Sequence, residues 1–138
     1  MGIKQLSIFL ENNLGKLAGA TSVLAKAQVN IKALSIADTA DFGILRVIAD
    51  DVEKAKAALS GAQWTYRESD VIAVEVGNFP GSLAGVMEVF QDANVNIEYV
   101  YSVLEWKPDK AVLLFKLGDA EKGIAALKEH GVTVLETL

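Results

Sequence analysis

The chain has 138 residues, 51% of them hydrophobic and 22% charged, which describes one ordinary packed domain or two very small ones rather than a disordered chain. Thirteen Lys and Arg against 18 Asp and Glu give a net charge of −5, so nucleic acid is not the expected partner, because a duplex footprint needs clustered cations. The absence of cysteine and the single histidine, His130, exclude disulfide scaffolds, thiol nucleophiles and Cys-ligated zinc, and leave a His-pair metal site or a Ser-His-Asp triad hard to build within one chain.

In chain order, Lys4, Leu6, Ile8 and Leu10 alternate with Gln5, Ser7 and Phe9, a period of two that predicts a strand. Leu14, Leu17, Thr21, Leu24 and Ala25 recur at helical spacing. Val29 to Ala37 reads as a strand that ends in the turn cluster Asp38-Thr39-Ala40-Asp41, and Phe42 to Ala49 returns as its hairpin partner. Asp50-Asp51 predicts a cap for a short helix that reaches Leu59 and stops at Ser60-Gly61. Gln63 to Glu68 closes the set as a strand. The second half repeats this order. Strands are predicted over Val71–Val76, Val95–Glu105, Lys110–Leu117 and Val132–Glu136, with helices over Ser82–Asp92 and Ala120–His130. Asp119 is the predicted cap of the later helix, and Trp106-Lys107-Pro108-Asp109 the hairpin turn. The expected class is α+β, a ferredoxin-like βαββαβ unit in two tandem copies, each an antiparallel sheet with helices on one face.

The two copies are related in sequence as well as in pattern. At an offset of 66, ten of the 20 residues from Asn12 to Ile31 are identical to those from Asn78 to Ile97. Ordinary composition gives about one or two such matches. Glu53–Leu59 matches Glu121–Leu127 at an offset of 68, which places a two-residue insertion around Trp106–Lys110. Domains are therefore expected at 1–69 and 70–138. The halves carry unequal charge, +1 for residues 1–69 and −6 for residues 70–138.

Ile44, Arg46 and Ile48 alternate with Leu45, Val47 and Ala49, so both faces of that strand are largely apolar, as are both faces of Ala111–Phe115. Such a strand is covered on both sides. Helices cover one side, and the other is expected to meet the second copy, another subunit or a partner. A unit of about 66 residues is also marginal alone. The copies are expected to fold together and the chain to form at least a homodimer. Met1-Gly2-Ile3-Lys4 leads straight into strand alternation, and no apolar run approaches the roughly 18 residues of a membrane span. A cytoplasmic protein with no membrane association is expected.

The strongest local signals are two loops. Asn12-Asn13-Leu14-Gly15 and Asn78-Phe79-Pro80-Gly81 each join a strand to a helix. Asn and Gly let the chain turn sharply, and the helix that follows points unsatisfied N–H groups and its positive dipole end at the loop. That arrangement suits a small carboxylate. Lys16 and Ser82 open the helices beside the loops. The second signal is Asn30 and Asn96, each between Val and Ile where a helix returns to a strand. An amide there can accept from an ammonium and donate to a carboxylate, or can simply make a helix-exit turn. Gly19 and Gly85 lie inside helices, at a cost of about 1 kcal/mol each, which predicts a close backbone approach. His130 reads as a helix C-terminal residue rather than a catalytic one.

The βαββαβ order, N-x-x-G after the first strand and V-N-I beyond it resemble the ACT domain family of small regulatory domains that bind amino acids. The resemblance covers nearly the whole chain as a tandem pair. Its sharper motif, N-x-P-G, is in the second copy at Asn78–Gly81. It implies a ligand between the first loop of one domain and the start of the second strand of another, so that Asn12–Gly15 would face Asn96, and Asn78–Gly81 would face Asn30. Asn12 and Asn78 match the asparagine that grips the ligand in serine-sensing members. Leu10 and Val76 replace the histidine found there, which argues against serine. What the resemblance implies is a regulatory protein, not an enzyme, with no catalytic residue, metal or cofactor. A free amino acid or similar small carboxylate would bind at Asn12, Asn13, Leu14, Gly15, Asn30, Asn78, Phe79, Pro80, Gly81, Ser82 and Asn96, and a regulated enzyme would be its partner. The alternative is a protein-interaction module that uses the apolar sheet face and has no small ligand.

Overall fold

The computed structural model describes residues 2–11, 13–38 and 42–138. The elements are β1 (Ile3–Glu11), α1 (Lys16–Lys26), β2 (Ile31–Asp38), β3 (Phe42–Ala49), α2 (Val52–Gly61), β4 (Tyr66–Gly77), α3 (Ser82–Asp92), β5 (Ile97–Ser102), β6 (Lys110–Leu117), α4 (Ala120–Glu129) and β7 (Thr133–Leu135). The chain divides into two compact units. The first is Lys4–Ser69, and the second is Asp70–Leu138 together with Gly2 and Ile3. Thr39, Ala40 and Asp41 of the predicted turn cluster, and Asn12 of the first loop, lie outside the described residues.

Within the first unit the strand order is β2-β3-β1-β4, and within the second it is β5-β6-β4-β7. Both are the antiparallel order of a split βαβ unit. The strands predicted at Gln63–Glu68 and Val71–Val76 are one strand, β4, that passes from one unit into the other. Ser69-Asp70 contains neither glycine nor proline, so nothing local breaks it.

Each unit has its own core on the helix side of its sheet. In the first, Leu6, Ile8 and Leu10 of β1 and Leu45 and Val47 of β3 meet Ala20 and Leu24 of α1 and Ala55 and Leu59 of α2. In the second, Ile72, Val74, Phe115 and Leu117 meet Val86, Val89 and Phe90 of α3 and Ala126 and Leu127 of α4. Phe90 and Phe115 pack edge to face at 5.0 Å and 69°. A Cβ at Gly123 would stand 2.4 Å from Leu117 Cδ1, so any larger residue there makes that side chain shift.

Part of the opposite sheet face is buried too. Ile48 is 2% exposed, Val112 1% and Leu114 0% within the single chain. Because these residues are buried within one chain, they give no argument of their own for a homodimer. Among the described residues no helix is long and apolar enough to cross a membrane.

All four helices stop by one device. Gln28, Gln63, Asn94 and Gly131 adopt positive φ, and the next residue's N–H donates back to the carbonyl of Leu24, Leu59, Phe90 or Leu127. These are Schellman-type ends. Ser60-Gly61, read as the stop of α2, lies in its last turn instead. The left-handed residues after α1 and α3 are Gln28 and Asn94, two positions before Asn30 and Asn96.

Two stability predictions follow from this packing. Phe115→Ala is expected to lower the unfolding free energy by about 3–5 kcal/mol. Asp119→Ala, which removes the carboxylate that accepts from the Lys122 N–H at 3.1 Å, is expected to lower it by about 1 kcal/mol. Urea titration followed by circular dichroism measures both.

Candidate functional site

Among the described residues, the loops between β1 and α1 and between β4 and α3 end alike. Gly15 (φ +87°) and Gly81 (φ +93°) are left-handed and serve as the N-caps. An L side chain is strained there, which accounts for glycine in both copies. In the first loop the Asn13 N–H donates to the Glu11 carbonyl at 2.8 Å, and its side-chain amide donates to Glu11 Oε2 at 3.1 Å. In the second, the Asn78 N–H donates to the Asp109 carbonyl at 2.9 Å, which ties the loop to the hairpin turn before β6.

The helix starts differ in one respect that matters for ligands. Asp51 and Asp119 cap α2 and α4, accepting from the N–H groups of Lys54 and Lys122. Among the described residues, no side chain caps α1 or α3. The Lys16 and Ser82 N–H groups donate to the Asn13 and Phe79 carbonyls, each at 3.3 Å, and first-turn N–H groups with no protein partner face water or a ligand.

Three of the clefts hold predicted site residues. The first, of about 730 Å³, is in the first unit and gathers Asn13, Leu14 and Gly15 with Leu17, Leu34 and Ile36. A register shift between Ile31 and Ala33 explains the two strand residues. Beyond it, Leu34 and Ile36 pair with Val47 and Leu45, residues of the helix-side core, so they point to that same side. They lie on the edge strand and remain exposed, as do Leu14 and Leu17. Alternation alone does not reveal this strip, because the bulge resets it.

The second cleft, of about 470 Å³, is in the second unit. It brings Phe79 and Ser82 together with Gly85, Lys110, His130 and Val132. His130 Nδ1 lies 2.9 Å from the Ala126 carbonyl, a helix-end contact. The third cleft, of about 440 Å³, holds Asn96 with Met87, Gln91 and Asn94.

Asn30 and Asn96 are exposed, and their backbones are committed. The Asn30 N–H donates to Asp50 Oδ1 at 3.0 Å and its carbonyl accepts from the Asp50 N–H at 3.0 Å. The Asn96 carbonyl accepts from the Gly118 N–H at 2.9 Å. Both asparagines thus clamp the open end of a hairpin. Within one unit neither shares a cleft with the loop residues: the first cleft holds Asn13, Leu14 and Gly15 without Asn30, and the second holds Phe79 and Ser82 without Asn96. Asn78, Pro80 and Gly81 are exposed on the second loop. Leu34, Ile36, Lys110 and Val132 were not among the predicted site residues. For the first two the signal is their exposure on an edge strand, and for the last the contrast with Trp64 at the equivalent place.

The two helix glycines part company here. A Cβ on Gly19 would stand 3.2 Å from the Trp64 ring, so the close approach is real. A Cβ on Gly85 would meet nothing within 4 Å, so the same expectation fails for the second copy.

The sequence matches the family described as an ACT domain pair over residues 1–136. The chain belongs to the ACT domain pair family. Such a pair is a regulatory, ligand-binding module in kind. Among solved structures, protein BT0572 from Bacteroides thetaiotaomicron is 42% identical with a TM-score of 0.91, covering 98% of this chain and 92% of that one. The ligand-free regulatory subunit of aspartate kinase from Thermus thermophilus is 17% identical with a TM-score of 0.62, covering 91% and 87%. Aspartate kinase from Synechocystis is 20% identical with a TM-score of 0.61, covering 96% of this chain and 26% of that one. The latter two share the fold. No curated protein matches the sequence.

Three glycine variants of this ACT pair test the loop and helix geometry. Gly81→Ala is expected to destabilise by about 1 kcal/mol or more through left-handed strain. Gly85→Ala is expected to stabilise by up to about 1 kcal/mol, as an unhindered helix position allows. Gly19→Ala is expected to forfeit that gain by crowding Trp64. Thermal unfolding of the three variants beside the parent reads the order.

Proposed function

We propose that this chain is a regulatory binding protein for a free amino acid or similar small carboxylate, taken at the loops Asn12–Gly15 and Asn78–Ser82. The observation that carries the reading is the contrast in capping. In two helices of the chain an aspartate takes one first-turn N–H, whereas in the two that follow the ACT loops no side chain among the described residues does so. A carboxylate is the complement of such N–H groups and of the positive dipole end. The exposed amides of Asn78 and Asn96, and of Asn30, are suited to an ammonium or a second carboxylate oxygen. Following the family resemblance, a second ACT unit completes each site.

Ligand binding would favour one arrangement of ACT units over others and so bias the activity of a partner. The regulatory subunit of aspartate kinase among the similar folds makes an enzyme the natural kind of partner to propose. The exposed strip Leu14, Leu17, Leu34 and Ile36 supports a contact with a second copy, since contiguous apolar surface of this kind marks interfaces. The same strip favours the second reading, a protein-docking module without a small ligand.

Thermal unfolding against each common amino acid separates the two. A true ligand at about 100 times its Kd is expected to add roughly 2.7 kcal/mol of stability. The increment is expected to shrink in Asn78→Ala and Asn96→Ala. A flat response to every amino acid and small carboxylate would sink the binding reading in favour of docking.

A further inference from the structure

The repeats differ at one place in a way that points to a ligand class. In the first unit, the strand entered after α2 begins near Trp64. Its indole packs against the core, lies against Gly19 of α1, and carries the Lys16 ammonium 5.9 Å from its ring centre. In the second unit the equivalent of Trp64 is Val132. The backbone equivalence is direct, since Trp64 and Val132 donate their N–H groups to the carbonyls of Leu59 and Leu127, each at 2.9 Å. The helix glycine is kept as Gly85, but nothing stands within 4 Å of its missing Cβ.

Three further exchanges fall around the same spot. Lys16 becomes Ser82, which removes the cation that caps the indole. Asn13 becomes Phe79, and Glu11 becomes Gly77. The last two belong together. The Phe79 ring lies on Gly77 so closely that a Cβ there would meet it at 2.1 Å. The result is an exposed aromatic wall at the mouth of the second-unit cleft, with Val86, Val89 and Val132 as apolar lining and Lys110 at the rim. The corresponding cleft of the first unit, with Trp64 in its wall, measures about 330 Å³ against about 470 Å³ here. Both figures lie in the range of small-molecule sites, and the second-unit cleft is the roomier where Trp64 is absent.

We propose that this second-unit cleft binds a planar aromatic ring bearing a short carboxylate chain. The ring would lie over Gly85 between Phe79 and Val132, as the Trp64 indole lies over Gly19. Lys110 would take the carboxylate. The proposal rests on the reading of the chain as a binder of small carboxylates and assigns one of them a chemical class and a place.

Isothermal titration of the intact chain with L-phenylalanine, L-tryptophan and phenylpyruvate tests it, with L-leucine and L-serine beside them. At least one ring-bearing carboxylate is expected to bind more tightly than leucine or serine. Val132→Trp, which installs the first unit's own filler, is expected to abolish that binding while circular dichroism stays native. Phe79→Ala is expected to weaken it about 3- to 10-fold, and Lys110→Gln about 10-fold. These two exposed positions keep the test decisive if Val132→Trp does not fold. Equal affinity in the parent, Phe79→Ala and Lys110→Gln would overturn the cleft assignment and leave amino-acid binding standing. Binding of leucine or serine with none of the ring carboxylates would do the same. No binding of any carboxylate would overturn both readings.

Discussion

Two helices of 10 or 11 residues must cover one face of a four-stranded sheet in each unit, and most of the architecture follows from that constraint. The central strands β1 and β3 bury their leucines and isoleucines under α1 and α2, and β4 and β6 do the same under α3 and α4. What is left uncovered is the margin. On one margin of the first unit the edge strand β2 leaves Leu34 and Ile36 in the open beside Leu14 and Leu17. On the other margin the turn into the last strand must be sealed by whatever side chain follows the left-handed helix stop.

The β–α loop sits between those margins, so small changes there decide which side becomes a cleft. In the first unit Trp64 seals one side and the apolar cleft is on the β2 side. In the second, Val132 leaves the seal open and Phe79 turns onto Gly77 to wall it. Where described, the loop ends match: both glycines are left-handed, and no described side chain caps either helix. The duplication thus preserved the helix entry and let the side-chain surroundings diverge. This is how one regulatory fold comes to present two unlike clefts. The recognition chemistry that can be shared is in the backbone, and the specificity is in the few residues around it.

Much of the fold was legible in the sequence because it is written in local terms. Period-two alternation in β1, β3 and β6, the helical spacing of α1 and α3, and the Asp51 and Asp119 caps act over a few residues and need no partner to be read. The repeat made the second copy a check on the first. The misreadings share a different character. Ser60-Gly61 was a plausible stop, but α2 runs until Gln63 takes the left-handed position, a choice made by the Trp64 N–H reaching back to Leu59. The strands at Gln63–Glu68 and Val71–Val76 merge because both halves find neighbours to pair with, which no window of sequence reports. Gly19 and Gly85 look identical in the chain, and only the atoms above them tell them apart.

The sequence by itself determined the unit, its duplication, the element order and the two glycine-ended loops that lead into α1 and α3. These rest on backbone conformational preference and on amphipathic period, both of them properties of neighbouring residues. Only the tertiary structure decided which residues surround those loops. The bulge at Ile31–Ala33 turned Leu34 and Ile36 toward the first cleft, and the exchange of Trp64 for Val132 opened the second. The physical reason is that a cleft is made by residues far apart in the chain and by the volume they fail to fill. Neither separation nor missing volume leaves a local trace in the order of amino acids.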